Sequence, residues 1–200
     1  MKTLKELMEK LDVCNESCEW VKDKTIEQVV NKCNRADFLI LLAVKTGIDS
    51  RKIILTNGHI ANTVRHLIED KDILKCIDAT ISYGRGDMLR NKFFVYTRAA
   101  KKSIHKYKIG KAEFYCPSKY YAALSGTMAG KLIGSSISKY KKQVNNNINI
   151  LTSRASFWQP EIDGLSSEKN REKNLMDTSN IVRRYIGHDI INKVNQLLNN

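Results

Sequence analysis

Five cysteines and four histidines are the residues from which a metal centre or an activated nucleophile would be built in this chain. A zinc site needs convergent ligands at short, recognisable spacings. Cys14 and Cys18 are separated by three residues rather than two, and His59 and His66 lack the close pairing of a zinc finger. No metal or cofactor is therefore expected. Nucleophilic catalysis needs a base and a group to orient it, but the histidines fall in separate predicted helices or loops, and His105 sits among lysines as a solvated basic residue. Gly84-Arg85-Gly86 lacks the third glycine and the preceding strand of a nucleotide loop. The carboxylates Glu69, Asp70 and Asp72 suit a helix start, where anions complement the dipole, with Asp72 as the cap.

One stretch concentrates specific features, and it is also where an unrecognised enzymatic site would lie, on Arg35 and Asp37. Cys14, Cys18 and Val21 recur at helical spacing, so they share an apolar face, with Trp20 at its edge. Trp20 is expected to be a core anchor, whose loss would cost about 3–5 kcal/mol. Thr25 followed by Gln28 is a capping-box pattern that starts a new helix, each side chain satisfying an exposed N–H near the other. Its inward face is Ile26, Val29, Val30 and Cys33. Asn34 to Asp37 then turns the chain into the apolar run Phe38 to Val44, predicted to be a central buried helix.

These residues carry a resemblance. Cys14, Ser17, Glu19 and Trp20, then Lys24-Thr25, then Cys33-Asn34-Arg35-Ala36-Asp37-Phe38 leading into Leu39, Leu41 and Leu42, resemble the opening of a family of immunity proteins found in bacterial polymorphic-toxin loci and in phages. Ile181 to Ile190 (IVRRYIGHDI) is similar to the closing Ile-Val-Arg segment of that family. The chain departs from the family in its middle, where a polar insertion after Lys139 replaces a long alanine-rich helix, and in its charge. The resemblance implies an immunity-type role, neutralising a cognate toxin or effector through a helical surface; with no catalytic constellation in the sequence, no enzymatic activity is expected.

The remaining elements must position that stretch. With 200 residues, 42% of them hydrophobic and only two prolines, the chain suits a single all-α domain, a multi-helix bundle of amphipathic helices with a real core. Thr3 to Leu11 is a lead helix with Leu4, Leu7, Met8 and Leu11 on one face. Gly47 ends the central helix, and Asp49 or Ser50 caps the next, which Asn57-Gly58 kinks or breaks. Further helices run from Asp72 to the Gly84–Gly86 stop, from Asp87 to about Tyr107, and from Tyr120 to Lys139. Ala122, Gly126, Gly130 and Gly134 line the last of these with a small-residue row, which permits close approach by a neighbouring helix or a ligand. Residues 140–167 read as a long polar loop, since asparagines such as Asn145 to Asn147 compete with helix. Phe157 and Trp158 in it are either a partner-binding anchor or part of the core. Ser167 caps a helix to Ile186, and a final helix covers Asp189 to Leu198.

Lysine and arginine number 34 against 21 acidic residues, a net charge of +13. Such an excess favours a nucleic acid, an acidic protein surface or an anionic membrane as partner, or else serves general solubility. An inhibitor of a nuclease would instead present an acidic face. Around Phe93, Phe94 and Tyr96, a helix bearing Lys101 and Lys102 is either a nucleic-acid surface or an ordinary amphipathic helix with those rings in the core. The partner contacts expected are Arg35, Asp37, Lys101, Lys102, Lys139, Lys141, Lys142, Trp158, Arg183 and Arg184. The partner is a toxin or effector protein, with a basic nucleic-acid-binding or phage accessory protein as the rival reading. Without an apolar leader or a membrane-spanning run, and with cysteines read as free thiols, a cytoplasmic location is expected.

Overall fold

Helix-start chemistry recurs along the chain, and it delimits the elements. In the computed structural model, which describes residues 3–13, 15–109, 117–129, 151–156 and 166–200, every regular element is helical. The protein is all-α. Helix α1 (Leu4–Lys10) opens with a capping box in which Glu6 N–H donates to Thr3 Oγ1 at 3.2 Å and Thr3 N–H to Glu6 Oε2 at 2.9 Å. Helix α2 (Asn15–Val21) follows, and α3 (Ile26–Lys32) begins at the predicted box, with Gln28 N–H on Thr25 Oγ1 at 3.3 Å and Thr25 N–H on Gln28 Oε1 at 3.0 Å. Ile26, Val29, Val30 and Cys33 are buried as their spacing requires.

Helix α4 (Ala36–Lys45) is buried from Ala36 to Ala43, so it is surrounded by protein on all sides. It stops at Gly47, whose φ of +79° is the left-handed conformation that only glycine adopts without strain. Asp49 then accepts from Arg51 N–H at 2.9 Å and starts α5 (Ser50–Asn62). Asn57-Gly58 does not break this helix, contrary to expectation. The missing side chain is spent sideways: a Cβ on Gly58 would lie 2.8 Å from Ile81 Cγ1 of the next long helix.

A 3-10 turn (Arg65–Leu67) leads to α6 (Lys71–Arg85), which packs along α5 as its main neighbour. Gly84 faces Leu55 so closely that a Cβ there would be 2.6 Å from the Leu55 Cα. Asp70, not Asp72, is the cap; its carboxylate accepts from Asp72 N–H at 2.9 Å and Ile73 N–H at 3.1 Å. Helix α7 (Arg90–Ile109) lies on α6, and α8 (Pro117–Ala129) packs on α5, α6 and α7. Gly126 is pressed against Ile73 and Ile77, which shows the close-packing use of the small-residue row at that position. Gly130 and Gly134 lie outside the described residues.

Residues 151–156 are helical with Leu151, Thr152, Ser153, Ala155 and Ser156 buried, so the stretch 140–167 is not one uninterrupted loop. Apolar Leu151 and Ala155 sit one helical turn apart, a pairing that outweighs the polar composition around them. Ser166, rather than Ser167, caps α9 (Ser167–Val182) by accepting from Lys169 N–H. The buried face of α9 is largely polar: Asn174, Thr178 and Ser179 accompany Val182. A π-helical turn, Arg183–Gly187, joins it without a break to α10 (His188–Asn199), which returns to α1, α3 and α4. The main core cluster accordingly draws on residues from Leu4 to Val194, while a satellite cluster is built by Ile54, Ala79, Tyr83 and Phe93.

Candidate binding cleft

Between the end of α3 and the start of α4 the chain makes a three-residue turn held by sulfur. Cys33 Sγ accepts from Arg35 N–H at 3.4 Å and donates to Arg35 O at 3.5 Å. The turn opens beside α2 as a cleft of about 420 Å³, walled by Ser17 and Trp20 on one side and by Lys32, Asn34, Arg35 and Phe38 on the other. Trp20 stands edge-on to Phe38, ring centroids 6.1 Å apart, and Lys24 Nζ lies 4.7 Å from the indole centroid. The indole is 37% exposed. It is therefore not the core anchor that its neighbours Cys18 and Val21 suggested, because α2 turns those two inward and leaves Trp20 at the mouth of the cleft.

Arg35 and Asp37, which the sequence nominated, form one unit. Arg35 Nε and Nη2 donate to Asp37 Oδ1 and Oδ2 at 2.8 and 2.7 Å, a bidentate fork. Asp37 is buried in the first turn of α4, where a carboxylate suits the helix dipole, while the Arg35 side chain remains 62% exposed. The buried acid thus holds an exposed guanidinium in place. Lys32 adds a second cation at the rim. The Cys33 thiol is pushed above its ordinary range, first by burial, so it is protonated at neutral pH and unsuited to nucleophilic work.

Arg183 lies behind this cleft rather than in it. From the π-helical turn its Nε donates to Val30 O at 2.8 Å and its Nη2 to Cys33 O at 2.6 Å, while Nη1 reaches Asn180 Oδ1 at 2.7 Å. There it caps α3, supplying donors to carbonyls that a helix end leaves unmatched. Arg184 is exposed, its guanidinium 5.9 Å from the Tyr185 ring, and Tyr185 stacks on His59 at 4.5 Å. Burial, followed by the charges of Arg85 and Arg184, lowers the His59 pKa below its ordinary value.

Lys101 and Lys102 are exposed on α7, which packs mainly on α6 and α8, so the structure does not gather them with Arg35. Phe93 on that helix is buried, and Phe94 and Tyr96 are half-buried. Lys139, Lys141, Lys142, Phe157 and Trp158 lie outside the described residues, as does Cys14. What sequence reasoning missed is the pairing of Trp20 with Phe38. A usable signal was Lys24, one helical turn beyond Trp20, a spacing that suits a cation over an exposed ring rather than a ring in the core.

A second cavity, about 290 Å³, separates the start of α5 from α10, and an ion pair bridges it, Lys52 Nζ to Asp189 Oδ2 at 2.7 Å. Its opposite charges satisfy one another. Among the described residues no group of three or more histidine, cysteine or acidic side chains could hold a metal ion. Among them also, no helix is long and apolar enough to cross a membrane.

The fold and cleft together define an all-helical protein with a basic, aromatic-walled surface pocket. Comparisons with protein-family models, curated proteins and solved structures return no match.

Proposed function

We propose that this chain is a non-enzymatic binding protein of the immunity type, which neutralises a toxin or effector protein by seizing an acidic segment of it in the Trp20–Phe38 cleft. The observation that carries this reading is the combination in one opening of a partly exposed indole, a phenyl ring behind it and a guanidinium already held by Asp37. Tryptophan and arginine dominate the energetics of protein interfaces because they bring large contact area and directional donors together. A guanidinium fixed before binding loses little freedom when a carboxylate arrives. The net charge of +13 adds attraction for an acidic partner at longer range.

The two patches that resemble the immunity family support the same surface, since Arg183 of the rear patch holds the Cys33 turn of the front one. The test is affinity capture from nuclease-treated host lysate with the wild-type chain and with Trp20→Ala and Arg35→Glu as baits. An acidic protein retained by the wild type and lost by both variants is the expected result. Retention of that protein by both variants would remove the cleft from the interface, and recovery of no protein partner once nuclease has removed the nucleic acid would favour the nucleic-acid-binding rival.

A further inference from the structure

More than half of the net charge sits on a single helix. Helix α7 carries Arg90, Lys92, Arg98, Lys101, Lys102, Lys106 and Lys108 and no acidic residue in its 20 residues. Lys92, Arg98, Lys101 and Lys102 are all exposed, and none of these four makes an ion pair among the described residues. Of the acids in the neighbouring segments, Asp78 of α6 is forked to Arg65 at 2.6 and 3.0 Å and Glu69 is paired with Lys119. Asp72 meets α7 on its inner side, accepting from the buried Ser103 Oγ at 3.4 Å, and the exposed Asp87 precedes the helix. Helix α8 contains no acid. Asn91, Val95, Arg98 and Lys102 follow one another at four, three and four residues, so they form a single ridge with Lys101 beside it.

We infer that this ridge is a second binding surface, independent of the cleft, for the phosphate backbone of double-stranded nucleic acid. The exposed cations of this face run from Arg90 to Lys102, about 18 Å along the helix, which matches about five base-pair steps along a duplex. The helix is not placed to lie in a lipid surface, because its apolar side, Phe93, Ala100 and Ile104, is already buried in the protein. Nor does it offer a stacking platform for single strands. Among its described side chains the most exposed apolar one is Val95, whereas Phe93 is buried and Phe94 and Tyr96 are half-buried. What remains is a face of exposed cations, Lys92, Arg98, Lys101 and Lys102, each able to take a phosphate, so binding is expected to be steep in salt and to depend little on sequence.

The experiment is fluorescence anisotropy of the full chain against a labelled DNA duplex of about 20 base pairs. Neutralising about five phosphates predicts a loss of affinity of about 10²–10³-fold between about 50 and 200 mM salt. The triple variant Arg98→Gln, Lys101→Gln, Lys102→Gln should lower the log–log salt slope by about 3, while Lys32→Gln with Arg35→Gln should bind the duplex as the wild type does. An unchanged slope in the ridge variant, or an equal loss in the cleft variant, would overturn the assignment. So would failure to bind the duplex at low salt, including the case in which the chain sediments instead with phosphatidylserine vesicles.

Discussion

Arg183 Nη2 and the Cys33 carbonyl meet at 2.6 Å across 150 residues of sequence. The same guanidinium takes Val30 O, so one side chain from the π-helical turn closes the end of α3 and fixes the turn that shapes the cleft. A π turn inserts one extra residue into the helical register and re-aims the side chains around it. Here that places an arginine against another helix's free carbonyls, and the rear of the chain determines the geometry of the front.

Arg183→Ala should destabilise the fold by about 2–4 kcal/mol, since hydrogen bonds from a charged donor are worth about 1.5–3 kcal/mol each and two carbonyls lose their partner. Arg183→Lys should recover only part of that, because an ammonium cannot span both acceptors as a planar fork does. Urea denaturation of the three proteins reads the order directly; a lysine variant as stable as the parent would contradict it.

Trp20→Ala should cost only about 1–2 kcal/mol, below the ~3–5 kcal/mol of a fully buried large aromatic. The ring keeps an edge-to-face neighbour in Phe38 and a cation in Lys24, but a third of it already faces solvent. Matched urea titrations check this, and a loss above about 3 kcal/mol would return Trp20 to the core.

Gly84→Ala should lower stability by about 1–3 kcal/mol, the range for overpacking, although alanine is the better helix former by about 1 kcal/mol. The added methyl would collide with the Leu55 backbone, which cannot rotate away as a side-chain tip can. Thermal melts of the variant and the parent decide between propensity and crowding.

His59 gives a pH dependence with a definite sign. Its pKa is lowered in the folded protein, first by burial, so between the folded value and the ordinary 6.5 the unfolded chain binds the proton more readily. Stability is therefore full above about pH 6.5 and falls as pH drops through that window towards the folded pKa. His59→Gln should shift stability by a constant through the lost Tyr185 stack and remove this part of the slope. Denaturation midpoints of both proteins between about pH 7 and 5 test it; parallel curves would exclude His59 as the source.

Local chemistry was legible wherever a few adjacent residues sufficed. The Thr25–Gln28 box, the buried run from Phe38 and the stop at Gly47 all depend on neighbours within one or two turns. Asn57-Gly58 misled because a glycine's purpose in α5 is set by Ile81, 23 positions away, and not by its own backbone. The pairing of Arg35 with Asp37 is local, two residues i, i+2 across a helix start, whereas the acceptors of Arg183 lie on another helix, beyond the reach of neighbour patterns. Trp20 shows the same limit: periodicity placed it beside the buried face, but only the course of α4 leaves it at an opening.

The polar inner face of α9 also bears on how the molecule breathes. Asn174, Thr178 and Ser179 are buried there with modest returns, such as Asn174 Nδ2 on Thr63 Oγ1 at 3.1 Å, while Asn174 Oδ1 and Ser179 Oγ find no hydrogen-bond partner among the described residues. Little apolar area is lost to water when such a helix lifts off, so its amide hydrogens should exchange through a local opening well before those of α4. Because α9 runs unbroken into the Arg183 turn, that opening would also release the end of α3, and the cleft would lose its shape before the core melts.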